Sequence, residues 1–173
     1  DAFIWGIKGP IGSGKSTACV IELLRRAQMQ EPDSDGIRRT RFAIIRNTMP
    51  DLKNTTIPTW IQWLPAEFGK FTWSVPLKHH VKTKDLDMEV LFLGLDSDED
   101  VRKVMSLEIT GAWINEARFI PKSILDALTG RVGRYPKKEN GKGGAGQAHR
   151  RLHDEVTRAF SPKSMRFRSS LRH

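Results

Sequence analysis

A chain of 173 residues, 38% of them hydrophobic, can build one domain with its own core and is short for two. No run approaches the roughly 20 apolar residues of a membrane span and no signal-like segment leads the chain, which excludes a membrane-spanning reading and favours a soluble, intracellular protein. The net charge of +9 invites a nucleic-acid reading, but residues 1–136 hold 19 Lys+Arg against 17 Asp+Glu, while residues 137–173 hold 10 against 3, so the excess lies in the tail. The single Cys19 cannot form an internal disulfide and reads as a small buried side chain. Asp1 is not a start methionine, and the first apolar run begins at once, as expected of a piece of a longer protein.

In chain order, Ala2 to Ile7 is a short apolar run that predicts a buried strand. Gly9-Pro10-Ile11-Gly12-Ser13-Gly14-Lys15-Ser16-Thr17 then fills G-x-x-x-x-G-K-[ST], and Ala18, Val20, Ile21, Leu23, Leu24 and Ala27 recur at helical spacing over a predicted helix from Lys15 to Gln30. Strand, glycine loop and helix in that order make a phosphate loop. Its glycines let backbone N–H groups converge on an anion, and the helix N-terminus favours negative charge there. Lys15 would reach the β- and γ-phosphates of ATP and Ser16 would ligate Mg²⁺, with Thr17 supporting the first turn.

The polar segment Glu31 to Gly36 predicts a loop, and Arg41-Phe42-Ala43-Ile44-Ile45-Arg46 a strand apolar enough to be covered on both faces. A helical crossover between parallel strands is right-handed. Pro50 is suited to open a helix and Pro58 to kink or break it. Trp60 and Trp63, three residues apart, are expected to share a face and to pack in the core, with base stacking as the alternative. Phe71–Val75, His79–Lys82 and Met88–Leu95 predict further strands; His79 and His80 point to opposite faces there and are expected on the surface rather than on a metal. The acids from Asp96 to Asp100 have the charge pattern of a helix N-terminus. The apolar strand from Leu107 then ends in Asn115-Glu116, where a phosphate-loop ATPase of the additional-strand type carries its metal-supporting acid and its catalytic glutamate. Glu116 is the candidate general base, with helix capping near Pro121 as its alternative. Ligands of such folds gather at the carboxyl ends of the strands, so Glu116 and the loop are expected to converge. The fold class is therefore α/β, with a central, mainly parallel sheet flanked by helices.

With these residues in place, the chain resembles the ATPase part of a tailed-bacteriophage terminase large subunit. The resemblance rests on the loop 9–17, on Ile45 to Lys53, on Leu107 to Arg118 and on Leu128 to Pro136, and spans roughly residues 3 to 140. It implies ATP hydrolysis that drives double-stranded DNA into a capsid in the cytoplasm of a bacterial host, with portal and small terminase subunit as partners in a ring-shaped motor. It also implies phosphate contacts from Lys15, water activation by Glu116, and Mg²⁺ held by Ser16 and the residue at Asn115. Departures accompany it: Asn115 stands where many members have aspartate, and Met105 stands where some place an arginine finger. The coupling motif expected after Pro136 and the nuclease domain are absent. Residues 1–136 thus read as the ATPase core. Residues 137–173 read as a glycine-rich linker, a helix from about Gln147 to Phe160 and a basic tail that fits a truncation or frame change better than DNA binding. The fragment is expected to be a monomer. Two alternatives remain: a truncated remnant that binds nucleotide or only folds, and a small nucleotide kinase, which would want an acid where Arg46 ends the second strand.

Overall fold

The computed structural model describes residues 4–137. Ala2 and Phe3, the glycine linker beyond Lys137, the helix expected over 147–160 and the basic tail lie outside the described residues. The elements are α1 (Lys15–Met29), β1 (Arg38–Arg46), α2 (Met49–Asp51), a π-helical turn (Leu52–Thr56), α3 (Ile57–Trp63), β2 (Gly69–Thr72), β3 (Lys78–Lys82), β4 (Leu86–Gly94), α4 (Val101–Met105), β5 (Gly111–Ile114) and α5 (Lys122–Thr129). They build a sheet of order β2-β3-β4-β1-β5. β1 runs parallel to both β4 and β5, whereas β3 runs antiparallel to β2 and β4, so a parallel core carries an antiparallel hairpin at one side.

β1 is central because its sequence lets it be buried on both faces. Phe42 and Ile44 join Val20, Leu23 and Ala27 of α1 and Trp60 of α3 in one cluster, while Ala43 and Ile45 join Val104 of α4 and Ile124 and Leu128 of α5 in another. Burying each large side chain of this kind contributes about 1.5–3 kcal/mol. Trp113 of β5 belongs to the first cluster and Ala112 and Ile114 pack against the second, which fixes the alternation of β5 beside β1. α1 buries Val20, Leu23 and Ala27, three- and four-residue steps along one stripe.

Several expectations are corrected. Ile4, Trp5 and Ile7 belong to no strand and are exposed. Apolar character favours a strand, but its backbone groups need a neighbouring strand, and among the described residues the sheet β2-β3-β4-β1-β5 includes none for them. The strand expected from Leu107 narrows to Gly111–Ile114, with Ile109 held by an isolated bridge to Val132. Pro58 does not break its helix: it falls in the first turn of α3, where its missing N–H is not needed, and the preceding turn is widened to π geometry. Trp60 is fully buried but Trp63 is 45% exposed, so the pair does not share a core face. His79 is buried rather than on the surface, and only His80 is exposed. The hairpin is covered on one face, so adjacent residues on β3 have opposite fates. The acids before α4 form a 3-10 turn, Asp98–Asp100, capped by reciprocal bonds between Ser97 and Asp100, while α4 itself carries no side-chain cap. No described helix is long and apolar enough to cross a membrane.

Candidate functional site

α1 precedes β1 and packs on its face through Val20, Leu23 and Ala27. The loop from Gly9 to Gly14 leads into the start of α1. Gly12 and Gly14 have φ of 79° and 78°, left-handed values that carry little cost only for glycine. Gly14 is the N-cap, and the first turn carries no acid. Within the loop, Lys15 Nζ donates to the carbonyl oxygens of Gly9 at 2.9 Å and Pro10 at 2.6 Å. The ammonium thus folds back over its own loop, while Gly9, Pro10, Ile11, Gly12, Ser13 and Gly14 are exposed and Lys15, Ser16 and Thr17 half-buried. Behind them Cys19 is half-buried, and burial, then the Glu22 charge, pushes its thiol pKa up. That suits a packing role rather than a reactive one.

At the end of β5, Asn115 N donates to Ile45 O at 2.8 Å, which continues the parallel ladder and sets Asn115 beside Arg46. Asn115 Nδ2 donates to Thr56 Oγ1 at 2.8 Å, tying the strand end to the π turn that covers the face on which α1 lies. Glu116 follows with φ 58° and ψ 54°, the one non-glycine residue with positive φ among the described residues. A left-handed conformation costs a side-chain-bearing residue roughly 1–2 kcal/mol, and strain of that kind collects where a side chain must be aimed. Glu116 carries no side-chain cap bond to the turn Ala117–Phe119, and its carboxylate is 3.3 Å from Arg118 Nε. The helix near Pro121 is α5, whose N-cap is Pro121 itself and which has no side-chain cap bond, from Glu116 or otherwise. Among the described residues no hydrogen bond or ion pair joins the loop to Asn115 or Glu116.

The residues present fit a nucleotide and a divalent cation in part. The loop supplies left-handed glycines and a helix start free of acids, and the Ser16 hydroxyl has no protein partner among the described residues. Asn115 offers an amide oxygen rather than a carboxylate, a weaker support for a hard cation. At the position considered for an arginine finger, Met105 is 49% exposed and its sulfur accepts from Arg131 Nη2 at 3.5 Å. Nearby Lys103 is bound to Asp100 at 2.5 Å. Sequence reasoning passed over Thr56 and gave Arg46 no role in the site, although Arg46 lies within the stretch Ile45 to Lys53; Thr56 emerges only from its bond to Asn115 and Arg46 from the strand register.

Compared by sequence, the chain matches no protein family and no curated protein. Compared by structure, it matches the large terminase from a thermophilic bacteriophage in complex with ADP, with a TM-score of 0.56 at 16% identity over 71% of this chain and 29% of that one. The chain shares its fold with part of a phage large terminase. The same terminase in complex with ATP-gamma-S matches with a TM-score of 0.54 at 14% identity over 77% of this chain and 29% of that one. A further crystal form gives a TM-score of 0.56 at 14% identity. The terminase-like core is thus a P-loop NTPase fold, and it spans about 29% of the length of the terminase it matches.

Proposed function

We propose that the chain binds ATP and Mg²⁺ at the loop 9–17 and is the ATPase part of a phage terminase large subunit, powering the packaging of double-stranded DNA. The observation that carries this is the left-handed pair Gly12 and Gly14 leading into α1, on a fold shared with a large terminase solved in complex with ADP and with ATP-gamma-S.

In this reading the backbone N–H groups from Gly9 to Thr17 cradle the phosphates, and Lys15 leaves the Gly9 and Pro10 carbonyls to meet β- and γ-phosphate oxygens. Ser16 and Asn115 hold Mg²⁺. The cation, when bound, neutralises charge on the β- and γ-oxygens. The Glu116 carboxylate accepts the proton of the water that attacks the γ-phosphorus, and the left-handed backbone aims it. The full motor would work as a ring with portal and small subunit in the cytoplasm of a bacterial host. This chain alone would be a monomer, since the surfaces that close a ring belong to the whole assembly.

A second reading, binding without hydrolysis, is favoured by one observation: Ile4 to Ile7 lie outside the sheet and exposed, which leaves the loop anchored from α1 only. The two are separated by titrating the chain with Mg-ATP and measuring phosphate release. Binding with turnover supports the ATPase, and binding without it the second reading. No binding removes both.

A further inference from the structure

β1 carries four arginines that meet different fates. Arg38 pairs with Asp85 at 3.3 Å, Arg39 with Asp33 at 2.7 Å and Asp35 at 2.6 Å, and Arg41 with Glu89 at 3.2 Å. Arg46, the last residue of the strand, has no carboxylate partner among the described residues. Its guanidinium makes no hydrogen bond among the described residues; its Nε, like those of Arg38 and Arg41, is buried without a hydrogen-bond partner, and what sets Arg46 apart is that no carboxylate balances its charge. A desolvated donor with no acceptor is a cost that folded chains normally avoid.

The position of Arg46 is well defined. By alternation from Phe42 and Ile44, its side chain stands on the face that α1 covers. In the β1–β4 register Arg46 faces Gly94, where a Cβ would come within 2.7 Å of the Met49 backbone nitrogen, so the turn after β1 closes tightly over it. On the other side the register continues from Ile45 and Ile114 to set Arg46 against Asn115, one residue from Glu116. Asn47, next in the chain, also leaves its Oδ1 buried and unbonded. The carboxyl edge of the central strand thus holds a cation without an anion, beside the two residues assigned to metal and water.

We propose that Arg46 binds the terminal phosphate of the nucleotide. A guanidinium is a fork of fixed donors that stays charged at any physiological pH and matches phosphate oxygens. The loop and Lys15 embrace the phosphates from the α1 side, and Arg46 meets the γ-phosphate from the floor of the sheet, so it distinguishes the triphosphate from the diphosphate. This rests on the ATP-binding reading above.

The test uses the 173-residue chain as wild type, Lys15→Ala and Arg46→Met, with ATP and ADP titrated in the presence of Mg²⁺ and the nucleotide-free melting temperature recorded for each. Arg46→Met keeps the aliphatic stem and removes the orphaned donor. Its melting temperature should equal or exceed that of wild type, while its Kd for ATP rises about tenfold or more and that for ADP stays within about threefold. A purely structural arginine would do the reverse, lowering the melting temperature and leaving affinity alone, and that result overturns the proposal. Equal losses for ATP and ADP overturn it too. If Arg46→Met does not fold, Arg46→Gln is read in the same way; if neither folds, the arginine is structural. Failure of the underlying reading looks different, since wild type would then bind no more ATP than Lys15→Ala.

Discussion

The Asn115 side-chain amide donates to Thr56 Oγ1 at 2.8 Å and so fastens the end of β5 to the π turn between α2 and α3. The amide nitrogen is thereby spent on the protein, and only the oxygen is left for a cation. Asn115→Asp should keep the tie, because the threonine hydroxyl can rotate and donate to a carboxylate instead. It should also raise the charge offered to Mg²⁺. The expected outcome is a melting temperature close to wild type, with half-maximal ATP binding or turnover reached at several-fold lower Mg²⁺. An unchanged Mg²⁺ dependence would remove Asn115 from the metal site.

Glu116 offers a test of strain against function. Glycine adopts φ 58° without the side-chain clash that glutamate bears. Glu116→Gly should therefore hold or raise stability, by up to about 1 kcal/mol, and abolish any phosphate release. Thermal unfolding and a phosphate assay on the same sample read both. A clear loss of stability would mean that the carboxylate, through Arg118 or otherwise, supports the turn.

The local conformation of the loop was legible in the sequence, because it is a pattern in which spacing constrains the backbone. The left-handed Gly12 and Gly14 and the start of α1 at Lys15 stand where that pattern puts them. Less was legible wherever an outcome depends on neighbours far along the chain. Ile4 to Ile7 have the composition of a strand and no strand beside them. His79 and His80 were readable as facing opposite ways, but which one is buried depends on Trp60 and Phe71 packing against one face of the hairpin. The isolation of Arg46 could not be read from its neighbours in sequence, since Arg41 on the same strand finds Glu89 and Arg46 finds glycine in the same register.

The buried pair Trp60 and His79 gives a pH dependence with a definite sign. Trp60 Nε1–H donates to His79 Nδ1 at 2.9 Å, so the imidazole is neutral with its proton on Nε2, and protonation would have to displace the indole bond. Burial, then the neighbouring His80, holds the His79 pKa below its ordinary 6.5. The unfolded chain takes up this proton near 6.5 and the folded chain only at lower pH. The His79 contribution to stability is thus full above the unfolded value and falls as the pH drops towards the folded one. The melting temperature should fall between pH 7.5 and 5.5, and His79→Gln, which still accepts from Trp60, should flatten that fall. An equally steep fall in the variant would place the effect on other groups.

The central claim is that the loop binds the nucleotide and Glu116 acts on the water. The most direct measurement is ATP affinity and phosphate release compared across wild type, Lys15→Ala and Glu116→Gln. Lys15 meets phosphate charge before and during reaction, so its loss should weaken ATP binding itself. Glu116→Gln keeps size and removes the base, so turnover should drop roughly 10²-fold or more while ATP affinity stays within a few-fold. Turnover untouched in Glu116→Gln, or ATP affinity untouched in Lys15→Ala, would contradict the account.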